Sequence, residues 1–165
     1  MAPPPAAVLE VQSDAFAHGG RIPVAYTCEG ADLSPPLQWS PGPPGTVSYA
    51  LVVDDPDAPP PPRWNASRRY AWLHWTAWDL RVTHLGTGAN LTALDARQGR
   101  TDFGGVGWGG PCPPCGHGDH RYHFRVYALD RALGLPDGAT RAQLEASMAG
   151  HVLAQGLLVG VCSRD

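Results

Sequence analysis

Residues 111–122, PCPPCGHGDHRY, combine two thiols, two imidazoles, a guanidinium and a phenol in a segment rich in proline and glycine. Cys112 and Cys115 have the CxxC spacing, and a third histidine, His123, follows directly. Side chains of these types could bind a metal ion, form a redox dithiol or line a ligand pocket. The rest of the chain decides among these three interpretations.

A zinc site is not expected in this segment. Such a site needs four ligands and usually draws them from two separated pairs. No second CxxC pair exists elsewhere in the sequence, and Cys28 is the one plausible ligand outside the segment. We therefore predict no metal ion, and the sequence indicates no other cofactor.

The redox interpretation is disfavoured by geometry. If Pro113 and Pro114 adopt a polyproline conformation, three rises of ~3.1 Å separate the Cα atoms of Cys112 and Cys115 by roughly 9 Å. A disulfide needs about 4.4–6.8 Å, which only a cis bond or a tight turn at the Pro-Pro step would restore. We interpret the segment as a pocket wall and predict that both cysteines are reduced thiols.

Two further segments carry chemically useful side chains. The stretch DDPDAP, residues 54–59, holds carboxylates on proline-stiffened backbone at a strand end, and WLHW, residues 72–75, places His74 on an aromatic strand. Taken alone, the first is typical of a solvated turn and the second of a core histidine with a hydrogen-bond partner. Their occurrence together with the segment at 111–122 favours a functional role for all three.

Alternating patterns predict the strands that position these segments. A first strand is expected within residues 8–16, and others over 47–55, 70–80, 121–130 and 157–162. In the strand over residues 70–80, one face should carry Trp72, His74, Thr76 and Trp78, and the other Leu73, Trp75 and Ala77. In the strand over residues 121–130, one face should carry Tyr122, Phe124, Val126 and Ala128, and the other His123, Arg125, Tyr127 and Leu129.

One helix is well signalled. Thr140 and Gln143 have the spacing of a capping box. Leu144, Met148 and Val152 form an apolar stripe that predicts a helix continuing to Gly156. The chain is therefore expected to be mostly β with a late helix.

Composition limits the class of protein. The chain has 165 residues, 43% of them hydrophobic and 16% charged, with a net charge of −3. These values predict one folded domain over residues 1–165, and the absence of a basic run excludes an obvious nucleic-acid surface. The N-terminus lacks the pattern of a signal peptide, and no apolar stretch approaches the ~20 residues of a membrane span. We expect a cytoplasmic protein with all four cysteines reduced.

The motifs VVDDPDAP, WLHWTAWDL and GGPCPPCGHGDHRYHFRVYALD resemble the signature regions of the phosphatidylethanolamine-binding proteins. The resemblance covers residues 8–164 and implies a Greek-key β-sandwich with peripheral helices. It also implies an anion-binding cavity for phosphate or a phosphoethanolamine head group. The ligand-binding residues would be Asp55, Trp72, His74, Pro113, Pro114, His120 and Tyr122. Supporting roles in the loop would fall to Asp57, Gly116, Gly118 and Arg121.

The resemblance leaves the activity open among three classes. The first is binding of a small oxyanion or lipid head group, with Asp55 expected to favour protonation of both nearby histidines. The second is inhibition of a kinase or protease through an unidentified protein partner. The third is hydrolysis by Asp55, His74 and His120, which lack an accompanying activated nucleophile, so we expect no enzyme and no catalytic residues. A homodimer is possible.

Overall fold

The computed structural model describes residues 7–60 and 70–165. The first six residues, part of the segment predicted to carry no signal peptide, lie outside this range. Nine strands occupy Ala7–Val8 (β1), Val11–Gln12 (β2), Leu37–Trp39 (β3), Ser48–Asp55 (β4), Trp72–Leu80 (β5), His84–Leu85 (β6), Arg97–Gln98 (β7), His120–Leu129 (β8) and Val152–Cys162 (β9). Within the described ranges one α-helix spans Arg141–Met148 (α1), and short 3₁₀ turns lie at Val24–Tyr26 and Thr92–Leu94. The opening strand expected within residues 8–16 is thus two short strands.

The strands form two sheets. The larger has the order β1-β9-β8-β4-β5-β7, and the smaller has the order β2-β3-β6. The long strands β4, β5, β8 and β9 are antiparallel to their neighbours, whereas β1 runs parallel to β9. Every residue of β4 is buried, as expected for a strand at the centre of a sheet covered on both faces.

The principal core lies between the two sheets. The small sheet contributes Leu37 and Trp39, and the large sheet contributes Leu51, Val53 and Phe124. Burial of such apolar surface is the main favourable term in folding. The prediction of a mostly β sandwich is confirmed.

A second cluster covers the other face of the large sheet. There α1 packs Leu144 and Met148 against Ala50, Val52 and Leu129. The alternation predicted for β8 is also confirmed, because Phe124 and its same-face neighbours are buried between the sheets.

The helix is capped as predicted but ends early. The side chains of Thr140 and Gln143 each accept a hydrogen bond from the other residue's backbone N–H. The helix stops at Met148, followed by Gly150 with φ of +80°. The prediction that it continues to Gly156 is wrong, because Val152 already pairs with Leu129 as the first residue of β9. Pairing of β9 with β8 satisfies the backbone hydrogen-bonding groups from Val152 onwards. The apolar stripe gives no information about this pairing.

The alternation predicted for β5 is broken at His74. Val53 pairs with Trp75, yet the next residue, Asp54, pairs with Leu73, so β5 carries one extra residue at this point. Leu73 consequently packs on the helix side of the sheet, while Trp75 packs between the sheets. The prediction that Leu73 and Trp75 share a face is wrong, because a bulge shifts the two-residue period.

No helix within residues 7–60 and 70–165 is long and apolar enough to cross a membrane.

Candidate functional site

A cavity of about 190 Å³ opens at the end of the large sheet where β4 ends and where β5 and β8 begin. Its lining contains all seven residues predicted to bind ligand: Asp55, Trp72, His74, Pro113, Pro114, His120 and Tyr122. The structure adds Ala58, Pro59, Phe103 and Cys112, which sequence reasoning missed. The three strands bring together segments that are far apart in the sequence, since Asp55 pairs with Trp72 across β4 and β5.

A buried acid–imidazole pair lies in the cavity wall. Asp55 and His120 are 2% and 1% exposed, and Oδ2 of Asp55 lies 2.6 Å from Nδ1 of His120. The other oxygen, Oδ1, accepts the backbone N–H of Asp57 at 2.8 Å. An ionised carboxylate only accepts hydrogen bonds, so Nδ1 of His120 carries a proton in this pair.

His117 extends this pair outwards. Its Nδ1 lies 2.5 Å from Nε2 of His120, and the residue itself is exposed. Sequence reasoning did not assign His117 to the site, although the three-residue interval between His117 and His120 was visible. The spacing alone does not show that residues 114–117 form a turn, in which the N–H of His117 bonds to the carbonyl of Pro114.

His74 is held in one tautomer. Its Nδ1 lies 2.6 Å from the carbonyl oxygen of Gly109, which can only accept, so Nδ1 carries the proton. Burial lowers the pKa of His74, and this effect exceeds the opposing influence of the Gly109 carbonyl and of Asp55. Asp55 does favour the protonated form, but the expectation that His74 holds a proton more readily than free imidazole is wrong, because burial has the larger effect on its pKa. The neutral ring keeps an unprotonated Nε2 as a hydrogen-bond acceptor.

Aromatic side chains complete the wall. The His74 ring makes edge contacts with Phe103 and Tyr122, at centroid distances of 5.2 Å and 5.1 Å. Burial, and next the charge of Asp55, raise the pKa of Tyr122, which therefore stays a neutral phenol. The indole N–H of Trp72 is buried without a hydrogen-bond partner among the described residues. Such a donor is costly to leave unpaired.

The bulge in β5 also positions the neighbouring loop. Asp102 accepts the N–H of Leu73 through Oδ2 at 2.7 Å and donates its own N–H to the Leu73 carbonyl at 3.1 Å. Gly109 likewise donates its N–H to the carbonyl of His74 at 3.0 Å. These bonds hold the loop that carries Phe103 against the cavity.

Arg164, near the C-terminus, ties down the pocket loop. Its Nε donates to the carbonyl of Pro113 at 2.7 Å, and its own carbonyl accepts the N–H of Gly116 at 2.9 Å. Gly116 and Gly118 have φ of +72° and +88°, with open space around both, so backbone conformation rather than crowding favours glycine there. Sequence reasoning gave no indication of Arg164, because a single arginine 51 residues from Pro113 carries no spacing signal.

Asp57 and Arg121 form an ion pair at the cavity mouth. Oδ2 of Asp57 accepts the backbone N–H and the Nε–H of Arg121, and Oδ1 accepts from its terminal guanidinium nitrogen at 2.8 Å. This pairing lowers the pKa of Asp57 to about 2. The arrangement joins the start of β8 to the turn after β4, and the supporting role assigned to these residues stays a prediction.

The predicted reduction of all four cysteines is wrong for two of them. Cys28 and Cys112 form a disulfide, with their Cα atoms 5.4 Å apart, whereas Cys115 and Cys162 are free. The CxxC geometry disfavoured a bond to Cys115 but gave no information about Cys28, which is 84 residues away. The backbone approaches closely here: Cys28 N–H bonds to the carbonyl of Pro111, and a Cβ on Gly110 would collide with Asp32. Disulfides of this kind persist in oxidising compartments, so the predicted cytoplasmic location remains open to test.

No cluster of three or more His, Cys, Asp or Glu side chains in the described ranges is arranged to hold a metal ion. The two free thiols lie on separate segments, and the Cys112 sulfur is engaged in its disulfide.

A two-sheet sandwich with this cavity at the end of its central strands is the architecture of a small binding domain. The family model for phosphatidylethanolamine-binding protein matches residues 12–163. A UPF0098 protein of Aquifex aeolicus is 42% identical over 164 residues, covering 96% of this chain and 91% of the relative.

Solved structures agree with this assignment. A putative phosphatidylethanolamine-binding protein homolog, CT736 of Chlamydia trachomatis, superposes with a TM-score of 0.84 at 38% identity, covering 96% of this chain and 99% of that one. E. coli YbcL, described as a member of the mammalian family, gives a TM-score of 0.82 at 31% identity, with 96% and 100% covered. The chain belongs to the phosphatidylethanolamine-binding protein family.

Proposed function

We propose that this protein binds a small oxyanion, phosphate-like or carboxylate-like, in the cavity at the end of β4, β5 and β8, and prefers a phosphoethanolamine-type head group. The single observation that carries the proposal is the convergence of a buried carboxylate, two imidazoles, a phenol and an indole side chain on one cavity. Convergent polar groups in a mainly apolar concavity are the usual mark of a ligand site.

The size of the cavity suits a head group rather than a lipid chain. Its volume is about 190 Å³. Typical pockets for larger ligands begin near ~300 Å³. A phosphate with a short substituent fits this volume, and an acyl chain would have to lie outside it.

The polar groups define which form of the ligand is favoured. Trp72 and Tyr122 carry donors that could reach oxyanion oxygens. A protonated His120, with its N–H groups directed at Asp55 and His117, would instead attract the oxyanion through its positive charge. Neutral His74 and the Asp55 carboxylate instead need a ligand that brings a donor. A phosphoethanolamine group supplies both kinds, since its phosphate accepts and its ammonium donates.

The experiment is calorimetry with inorganic phosphate and phosphoethanolamine on the wild type and three variants. His120→Ala and His74→Ala should lose most binding of both ligands, and Asp55→Asn should weaken phosphoethanolamine more than phosphate. The matched control is His84→Ala, because His84 is exposed on β6 of the small sheet and outside the cavity. Unchanged affinity in both cavity histidine variants would overturn the proposal.

The other two activities predicted from the sequence have less support. For hydrolysis, Asp55, His74 and His120 meet in one cavity, but its described lining contains no serine, threonine or free cysteine to act as nucleophile. A panel of phosphomonoesters and carboxylic esters would reveal turnover if a bound water serves instead. Inhibition of a kinase or protease and formation of a homodimer stay predictions, which pulldown and native mass spectrometry address.

A further inference from the structure

The exposed ring of His117 connects the buried Asp55–His120 pair to solvent. Three side chains form a continuous chain: Asp55 Oδ2 lies 2.6 Å from His120 Nδ1, and His120 Nε2 lies 2.5 Å from His117 Nδ1. The rings of the two histidines also meet edge to face, with centroids 4.8 Å apart. We infer that anion binding takes up one proton, which comes to rest on His120. His117 is the positioning residue for this proton, because it receives the proton from solvent and passes it to His120. This inference rests on the proposed function.

The proton balance follows from the hydrogen-bond partners. In the neutral pair, His120 Nδ1–H donates to Asp55 and His117 Nδ1–H donates to His120 Nε2, because a nitrogen–nitrogen contact needs one proton. On charging, the acid form of the buffer gives a proton to His117 Nε2 and becomes its conjugate base. The Nδ1–H bond of His117 breaks, and a new Nε2–H bond forms on His120. His120 then carries two N–H groups and a positive charge, and His117 becomes the acceptor in its other tautomer.

No other group in the described lining can supply this charge at neutral pH. His74 is neutral with its Nδ1–H committed to the Gly109 carbonyl, and Tyr122 and Trp72 are uncharged donors. Bringing an oxyanion next to the buried Asp55 carboxylate costs electrostatic energy unless a cation lies between them. His120, in contact with Asp55, is the group placed to provide it.

Ionisable groups surround the pair on every side. From the strands these are Asp55, His74, Tyr122 and Cys162; from the mouth and the loop they are Asp57, Arg121, Asp119, Arg21 and Arg164. Asp57 is already paired with Arg121, and Asp119 with Arg21. Asp55 is thus the carboxylate in contact with His120, and His117 is connected to it through His120.

The test uses sulfate, which stays a dianion between about pH 5.5 and 8.5, a range that brackets the ~6.5 reference pKa of histidine. Any proton taken up on binding must then come to rest on the protein. Calorimetry in two buffers of different ionisation enthalpy should count about one proton per sulfate for the wild type near pH 8. Affinity should fall about tenfold per pH unit on the alkaline side, as linkage requires for one proton.

His117→Ala should lower sulfate affinity at about pH 6 by tenfold or more, since a hydrogen bond to a charged partner is lost. Its affinity should also lose most of the pH dependence and of the proton uptake. The control His84→Ala should match the wild type throughout. A His117→Ala protein that keeps the wild-type affinity, proton count and slope would overturn the inference.

A measurement without ligand separates this inference from the proposed function. Imidazole ¹⁵N shifts of His120 should follow a titration shared with His117 in two coupled steps, and His117→Ala should change that titration. If wild type binds no sulfate but His117 and His120 titrate together, the proposed function fails and the proton transfer between the two histidines is still supported. If the His120 titration is identical with and without His117, proton transfer between the two histidines is refuted, whether or not sulfate binds. Because His117 is exposed, an unchanged melting temperature should accompany the variant.

Discussion

Removing the Cys28–Cys112 disulfide should destabilise the protein and loosen one wall of the cavity. Cys112 lines the cavity directly, and the bond joins it to a segment 84 residues away. We take Cys28→Ser as the perturbation, because Cys28 is exposed and the substitution buries no new polar group.

The expected magnitude follows from the length of the closed loop. For 84 residues, the chain-entropy relation gives about 15 cal/mol/K, or about 4.6 kcal/mol at 25 °C, as the stabilisation from restricting the unfolded chain. For a protein of this size that corresponds to a melting temperature lower by about 9–18 °C. The affinity for phosphoethanolamine should fall as well, because Pro113 follows Cys112 in the wall.

The assay is urea denaturation of the oxidised wild type, the dithiothreitol-treated wild type and Cys28→Ser. The two samples without the bond should unfold at the same lower urea concentration. Cys115→Ser is the matched control, because Cys115 is exposed and free, and it should unfold like the oxidised wild type. Equal stability of all four samples, or alkylation of Cys28 and Cys112 in the native protein without reductant, would refute the reasoning.

Two further predictions concern packing and charge. Trp75→Ala should lower the free energy of unfolding by about 3–5 kcal/mol, since Trp75 is 1% exposed in the main core. Trp72→Ala should chiefly reduce ligand binding, because Trp72 lines the cavity. Urea denaturation and phosphate titration separate the two effects, and a Trp75→Ala protein as stable as the wild type would contradict the packing. Asp57→Asn should lower stability at neutral pH, because Arg121 depresses the pKa of Asp57 from 3.8 to about 2. That stabilisation is present above about pH 4 and is lost as pH falls through about 2, so the variant and wild type should converge in acid. A difference in stability independent of pH would exclude this ion pair as its cause.

The sandwich and most of the cavity could be predicted from the sequence because they depend on local patterns. The alternation in β8 predicted the face that carries Tyr122 and Phe124 into the core, and the capping-box pair marked the start of α1. The resemblance to the family brought together three segments whose meeting point no periodicity could give. The seven residues assigned to ligand binding in this way all line the cavity, and the four assigned supporting roles lie outside its lining.

What could not be predicted depends on pairing between distant parts of the chain. The bulge that displaces Leu73 arises from the register with β4, which the β5 sequence alone does not contain. The partner of Cys112 and the anchoring by Arg164 arise from approaches of segments with no shared motif. The low pKa of His74 reflects burial outweighing the charge of Asp55, a balance that depends on the final packing.

The central claim, that this cavity holds an oxyanion head group, is tested most directly by a crystal structure of the protein soaked with phosphoethanolamine. The account predicts a phosphate group inside the cavity, in contact with Trp72, Tyr122 and His120, and the ammonium directed toward Asp55 or His74. Clear density for the ligand at another place on the surface, or an unchanged cavity at a concentration that saturates binding in solution, would contradict it.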